Sequence, residues 1–124
     1  YTVELLQDAL NSLEKPMKNT RIGVLGVSYK ANVGDLRESP AIKIIELLKK
    51  HESKLYIYDP YLPEHSNVKS ATELLKKSEA IVLVTNHTEF VKIPPENFKK
   101  NKIKVILDGM NCLDKEKIQK LDSL

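Results

Sequence analysis

The chain has 124 residues, 41% of them hydrophobic and 30% charged, with 20 Lys+Arg against 17 Asp+Glu for a net charge of +3. That length and apolar content suit one domain with its own core and exclude a disordered chain, and the near balance of charge gives no footprint for nucleic acid. A single cysteine, Cys112, excludes an internal disulfide and fits a reducing, cytoplasmic setting, and the longest apolar run, Ala80 to Val84, is far short of the ~18–20 residues that cross a membrane.

Val3, Leu6, Ala9, Leu10 and Leu13 recur at the three- and four-residue spacing of one helical face, which predicts an N-terminal helix. "KPMKNT" breaks that pattern, and "RIGVLGV" reads as a short buried strand bounded by turn signals. After a long loop, "ESPAIKIIELLKKH" carries helix signals at both ends. Ser39 is the N-cap, Pro40 occupies the first helical position, and Lys49, Lys50 and His51 sit at the negative end of the dipole. Ile42, Ile45 and Leu48 form its inner face, widened by Ala41, Ile44 and Leu47.

"KLYIYDP" is a second strand, stopped by Asp59-Pro60; Ser70 with Glu73 is a capping box for a third helix, "ATELLKKS". "AIVLV" is a third strand, residues 85–98 are irregular or briefly helical, and "KVILDG" is a fourth strand. Asp114 caps a final helix, "KEKIQKL". Strands alternating with helices at this spacing predict an α/β fold: a Rossmann-like open parallel sheet with helices on both faces, preceded by the N-terminal helix.

In such sheets ligands bind beyond the carboxyl ends of the strands, where loops and helix N-termini present unpaired N–H groups. The stretch "GVLGVSYKANVGDLRESPA" begins there, but only Gly23 and Gly26 lie at its turn and 12 residues separate Gly26 from Ser39. The G-x-G-x-x-G spacing of a pyrophosphate cradle is not met, so no independent NAD site is expected. The loop instead carries Tyr29, Lys30, Asp35, Arg37 and Glu38. A lysine can meet a phosphate as a mobile point charge, an arginine can grip one as a fork, and a tyrosine can stack on a base. The alternative is that Asp35 and Arg37 tie the loop into shape while Lys30 is merely solvated.

Asp59 fits either a strand-ending turn, the reading preferred here, or a ribose hydroxyl. His87, beyond strand three, fits a loop hydrogen bond better than a nucleotide neighbour. The spacing of His51, His65 and His87, with no neighbouring Cys or Asp ligands, matches no metal site.

"GVSYKANVGDLRESPAIKIIELL", with "YIYDPY", "VLVTNHTEF" and "ILDGMN" after the next three strands, resembles the C-terminal, UDP-binding domain of the UDP-glucose/GDP-mannose dehydrogenase family. The likeness runs from about Arg21 to Cys112 and leans toward the branch that oxidises UDP-N-acetylhexosamines. It implies a longer enzyme with an N-terminal NAD-binding domain, a central helical dimerisation domain and this third domain. Such an enzyme makes two successive NAD-dependent oxidations of the sugar C6 alcohol to a carboxylate, through a thioester on a catalytic cysteine. Cys112 does not match that cysteine, so no catalytic residue is expected in this chain and it should be inactive alone.

By the same resemblance Tyr29 and Lys30 contact the UDP-sugar, Arg37 reaches NAD bound mainly by the missing N-terminal domain, and Asp35 orients Arg37. The family often places an arginine just after the Asp-Gly of strand four; here Met110 and Asn111 stand there, leaving Asn111 a hydrogen bond in place of a charge-assisted one. The implied division is residues 1–18 as a linker helix from the central domain and 19–124 as the UDP-binding domain. The opening on Tyr1 rather than Met fits an excised domain. The full-length enzyme is expected to be a cytoplasmic homo-oligomer serving polysaccharide biosynthesis, with no nucleic-acid or membrane partner. The rival expectation is a stand-alone Rossmann-like regulatory module that uses the same loop for another phosphorylated ligand or a partner protein.

Overall fold

The structure, a computed structural model, describes residues 2–34 and 39–108; the expected final helix and Asp114 lie outside the described residues. The helices are α1 (Thr2–Ser12), α2 (Pro40–Lys50), α3 (Ala71–Lys77), α4 (Thr88–Val91) and α5 (Pro95–Lys100), and the strands are β1 (Arg21–Leu25), β2 (Lys54–Tyr58), β3 (Ala80–Leu83) and β4 (Val105–Asp108). The four strands form one parallel sheet in the order β2-β1-β3-β4. Gly23 on β1 stands between Tyr56 on β2 and Ile81 on β3.

Alternation along the strands divides the apolar residues between two faces. Ile22, Val24, Ala80, Val82 and Val84 point into one core with Leu6 and Leu10 of α1 and Ala41, Ile45 and Leu48 of α2. Leu25, Ile81 and Leu83 point into the other, with Leu74 and Leu75 of α3 and the aromatic rings of Phe90 and Phe98. α3 lies directly on the β1 backbone: a Cβ at Gly23 would stand 2.4 Å from Leu74 Cδ2 and 2.5 Å from Ser78 Oγ.

Two helical faces differ in detail from the sequence pattern. Ala41, Ile45 and Leu48 are buried while Ile42 is exposed. Ile42 lies about 100° around the helix from Ala41, so the stripe that meets the sheet passes it by. Leu13 is exposed because α1 ends at Ser12, one residue before it could continue the buried row of Val3, Leu6 and Leu10. The segment 85–98 is briefly helical, and α4 and α5 exist to seat Phe90 and Phe98.

The two predicted caps that fall among the described residues form. Ser70 Oγ accepts from the Glu73 N–H at 3.1 Å, and Ser39 Oγ accepts from the Ala41 N–H at 3.2 Å. The free edge of β2 is closed by a side chain: Asn67 Oδ1 accepts from the Ile57 N–H at 2.6 Å and its Nδ2 donates to the Leu55 carbonyl at 3.0 Å. An amide occupying those groups withholds them from a foreign strand.

At the amino end of the sheet, Glu79 ties the strands together. Its Oε2 accepts from the Arg21 N–H at 3.1 Å, its Oε1 accepts from Lys15 Nζ at 2.7 Å, and its own N–H and carbonyl pair with Arg21 O and Lys104 N. Burial pushes this carboxyl up, but the hydrogen bonds from Lys15 and the Arg21 N–H outweigh it and hold Glu79 at about 2.

Candidate functional site

β1 leads out through α2 to β2 on one side and is paired with β3 on the other, so the crevice where the chain reverses direction lies above β1 and β3. The turn leaving β1 is built into that crevice. Gly26 has φ +94°, and a Cβ there would stand 2.5 Å from Thr85 Cβ, so the position needs glycine for both conformation and space. Thr85 Oγ1 donates to the Ser28 carbonyl at 2.6 Å, and Ser39 Oγ, at the start of α2, donates to the Val27 carbonyl at 2.5 Å.

The centre of this arrangement is Asp59, fully buried at the end of β2. Its Oδ1 accepts from the Tyr61 N–H at 2.9 Å, which is the turn expected of Asp-Pro. Its Oδ2 does something the sequence did not announce. It accepts from the Val27 N–H, the Ser28 N–H and Ser28 Oγ, each at 2.8 Å, and from His87 Nε2 at 3.0 Å. Burial raises the Asp59 carboxyl, yet the bonds from His87, Val27 and Ser28 together hold it down at about 2, so it is an anion at neutral pH.

His87 is equally buried, packed between the rings of Tyr61 at 4.8 Å and Phe90 at 5.3 Å between centroids. Its Nδ1 accepts from the Asn32 backbone N–H at 2.7 Å. A backbone N–H can only donate, so Nδ1 carries no proton and Nε2–H is the donor to Asp59. The loop hydrogen bond expected of His87 is therefore present, in the neutral Nε2–H tautomer.

Asn32 sits in the left-handed region with φ +61°, a conformation asparagine tolerates better than most residues. Its Oδ1 accepts from the Thr88 N–H at 3.0 Å and its Nδ2 donates to Thr88 Oγ1 at 3.0 Å, so it caps α4 from across the crevice. Further along, a Cβ at Gly34 would stand 2.6 Å from the Tyr61 carbonyl, so the loop lies against the turn after β2.

Between Ser28 and Asn32 stands a short arch whose Tyr29 and Lys30 face solvent, Tyr29 at 45% exposure. These are two of the three predicted UDP-sugar contacts, and they share one exposed crest. Asp35, Arg37 and Asn111, together with Met110 and Cys112, lie outside the described residues. Sequence reasoning missed Ser28, Asn32 and Thr85 as members of the site. The available signal was the Asp-Pro at the end of β2 and the "TNHT" at the end of β3, both adjacent in the sheet to the β1 turn.

The described residues do not fit a pyrophosphate cradle at this turn. The Val27 and Ser28 N–H groups, which would face such a ligand, point inward to Asp59 instead. A cleft of about 470 Å³ opens beside the end of β2, lined by Tyr58, Asp59, Pro60, Pro63, Val68 and Lys69 among others. Neither Tyr29 nor Lys30 lines it, and Ser66 and Asn67 on its wall are already bonded to the main chain of β2 and its following loop. Among the described residues no group of three or more His, Cys, Asp or Glu side chains could hold a metal ion, and no helix is long and apolar enough to cross a membrane.

Residues 23–115 match the model of the UDP-glucose/GDP-mannose dehydrogenase family, UDP binding domain. A parallel α/β domain with its polar loops at one end of the sheet is the architecture of a nucleotide-binding module, and the chain belongs to this dehydrogenase family. It is 34% identical over 101 residues to UDP-N-acetyl-D-mannosamine dehydrogenase of Methanococcus aeolicus, covering 77% of this chain and 23% of that protein. UDP-glucose 6-dehydrogenase of Drosophila melanogaster is 30% identical over 139 residues, covering 93% and 29%.

Among solved structures, the UDP-D-ManNAc dehydrogenase of Pyrococcus horikoshii superposes with a TM-score of 0.80 at 30% identity, over 91% of this chain and 27% of that one. An NDP-N-acetyl-D-galactosaminuronic acid dehydrogenase from Methanosarcina mazei, at 23% identity and a TM-score of 0.89, shares the fold. The chain spans about a quarter of the length of the curated relatives it matches.

Proposed function

We propose that this chain holds the UDP moiety of a UDP-sugar as the C-terminal domain of an NAD-dependent 6-dehydrogenase, one acting on a UDP-N-acetylhexosamine. The observation that carries the reading is the Tyr29-Lys30 crest, presented to solvent at the crevice above β1 and β3 while its two ends are fastened inside the domain. Lys30 meets the diphosphate as a point charge, and the Tyr29 ring offers a flat face to the uracil. Asn111, beyond β4, adds a hydrogen bond to the same ligand. Arg37 reaches NAD that another domain binds, oriented by Asp35. The inward-facing Val27 and Ser28 N–H groups support placing the NAD site in another domain.

On this reading residues 1–18 connect to a central domain and 19–124 form the UDP-binding domain. α1 nonetheless contributes to the core, since Leu6 and Leu10 are fully buried. The full-length enzyme is a homo-oligomer that works in the cytoplasm, in polysaccharide biosynthesis. Binding energy from the nucleotide positions the sugar for chemistry done by groups outside this chain. This chain alone should therefore reduce no NAD when given a UDP-sugar.

The test is calorimetric titration of UDP into the wild type and Lys30→Ala. Loss of one charge-assisted phosphate contact should raise Kd about tenfold. Equal affinities would remove Lys30, and with it the crest, from the site.

A further inference from the structure

Both feet of the Tyr29-Lys30 arch rest on a single buried pair. Asp59 Oδ2 grips the Val27 and Ser28 N–H groups on one side, and His87 Nδ1 grips the Asn32 N–H on the other, while His87 Nε2 joins the two grips. The spacing between the feet is therefore fixed by an imidazole ring bonded at both nitrogens. From this geometry we infer that His87 is a positioning residue for nucleotide binding: it sets the height and orientation of the 29–31 arch by clamping Asn32 to the Asp59-anchored turn.

Apart from the turn that Asp59 Oδ1 makes with the Tyr61 N–H, the hydrogen bonds of the pair all go to the two feet of the arch and to each other. Its polar atoms are all bonded, and among the described residues it faces no metal cluster. A packing role for the ring is already met by Tyr61 and Phe90 and does not require nitrogen. What nitrogen adds is an acceptor for Asn32 and a donor for Asp59. Asn32 then carries the constraint onward, because its side chain bridges to Thr88 at the start of α4. Without the imidazole acceptor, a residue with φ +61° would lose its main-chain anchor, and the arch would sample conformations in which Lys30 no longer meets a fixed phosphate.

The consequence for affinity rests on the proposed UDP contact of Tyr29 and Lys30; the clamp itself does not, and the two are separable by experiment. His87→Phe keeps a ring between Tyr61 and Phe90 but removes both hydrogen bonds, whereas His87→Gln keeps an amide acceptor and donor. Hydrogen–deuterium exchange in the 29–34 segment of the purified protein should speed up about tenfold in His87→Phe and return toward the wild-type rate in His87→Gln. Kd for UDP should rise and recover in parallel, by a similar factor.

Exchange and affinity unchanged in His87→Phe would overturn the inference, because a role in packing alone predicts that result. Wild-type protein that does not bind UDP would sink the proposed ligand, and the exchange rates would still decide the clamp. Should His87→Phe not fold, imidazole nitrogen shifts in labelled wild-type protein decide it. The Nε2–H tautomer with Nδ1 as acceptor is expected, and the Nδ1–H tautomer would overturn the clamp.

Discussion

The two ends of the sheet are each tied by one acidic side chain held at about 2, and they do it by opposite means. At the amino end Glu79 is paired with cations: Lys15 lies 2.7 Å away and Arg21 Nε 3.4 Å, both on partly exposed side chains. At the carboxyl end Asp59 is fully buried and meets only neutral donors, three backbone N–H groups, one hydroxyl and one imidazole. Cations at the amino end leave nothing for a ligand to do. Neutral donors at the carboxyl end leave an anchored loop whose one lysine, Lys30, remains outside and available. The difference separates a knot that keeps strands together from a knot that aims a side chain.

The largest effect that would break this contrast is at Asp59. Asp59→Ala leaves five donors without their acceptor inside the protein and should cost about 3–5 kcal/mol in urea unfolding. A cost below about 1 kcal/mol would mean that the turn finds its partners elsewhere. Gly26→Ala comes next, because it forces a side chain into φ +94° and against Thr85; about 1–3 kcal/mol is expected, read from the same transition.

Glu79→Gln should cost less, about 1–2 kcal/mol, and the cost should shrink in 1 M salt, whereas that of Asp59→Ala should not. Equal salt sensitivity of the two would erase the distinction between a cation-paired and a neutral knot. Acid sharpens it further. Both carboxyls are depressed below their ordinary values of 3.8 for Asp59 and 4.5 for Glu79. Each therefore stabilises the fold above its ordinary value, and the contribution is lost as pH falls from about 4.5 toward 2. Glu79→Gln should flatten the upper part of that loss in a pH series of melting temperatures. The smallest effect on stability belongs to Lys30→Ala, expected within about 0.5 kcal/mol of wild type because the side chain is exposed.

Much of this architecture was legible in the sequence for reasons that can be named. Strands of continuous apolar residues, the Ser39-Pro40 and Ser70-Glu73 signals and the long polar insert after β1 are local features, and local features survive into the structure. Ile42 was misplaced because apolar residues on both sides of a helix widen its hydrophobic stripe without saying where the sheet will lie. The anchors of the arch were hidden for a different reason. Asp59 and His87 stand 28 residues apart, and only the order β2-β1-β3 brings them together over the same turn. Each had a sound local explanation, a turn for one and a loop hydrogen bond for the other, and both proved true without revealing that His87 donates to the same Asp59 oxygen that holds the β1 turn. Spacing in one dimension does not encode that convergence.

The central claim is that the arch after β1 receives UDP and that NAD does not enter there. Titrating each nucleotide into isotope-labelled protein, and following backbone amide signals, tests it most directly. UDP should shift Tyr29 to Asn32 in a saturable manner, while NAD at equal concentration leaves them unmoved. Shifts at those residues caused by NAD, or UDP shifts confined to the Tyr58–Lys69 cleft, would contradict the account.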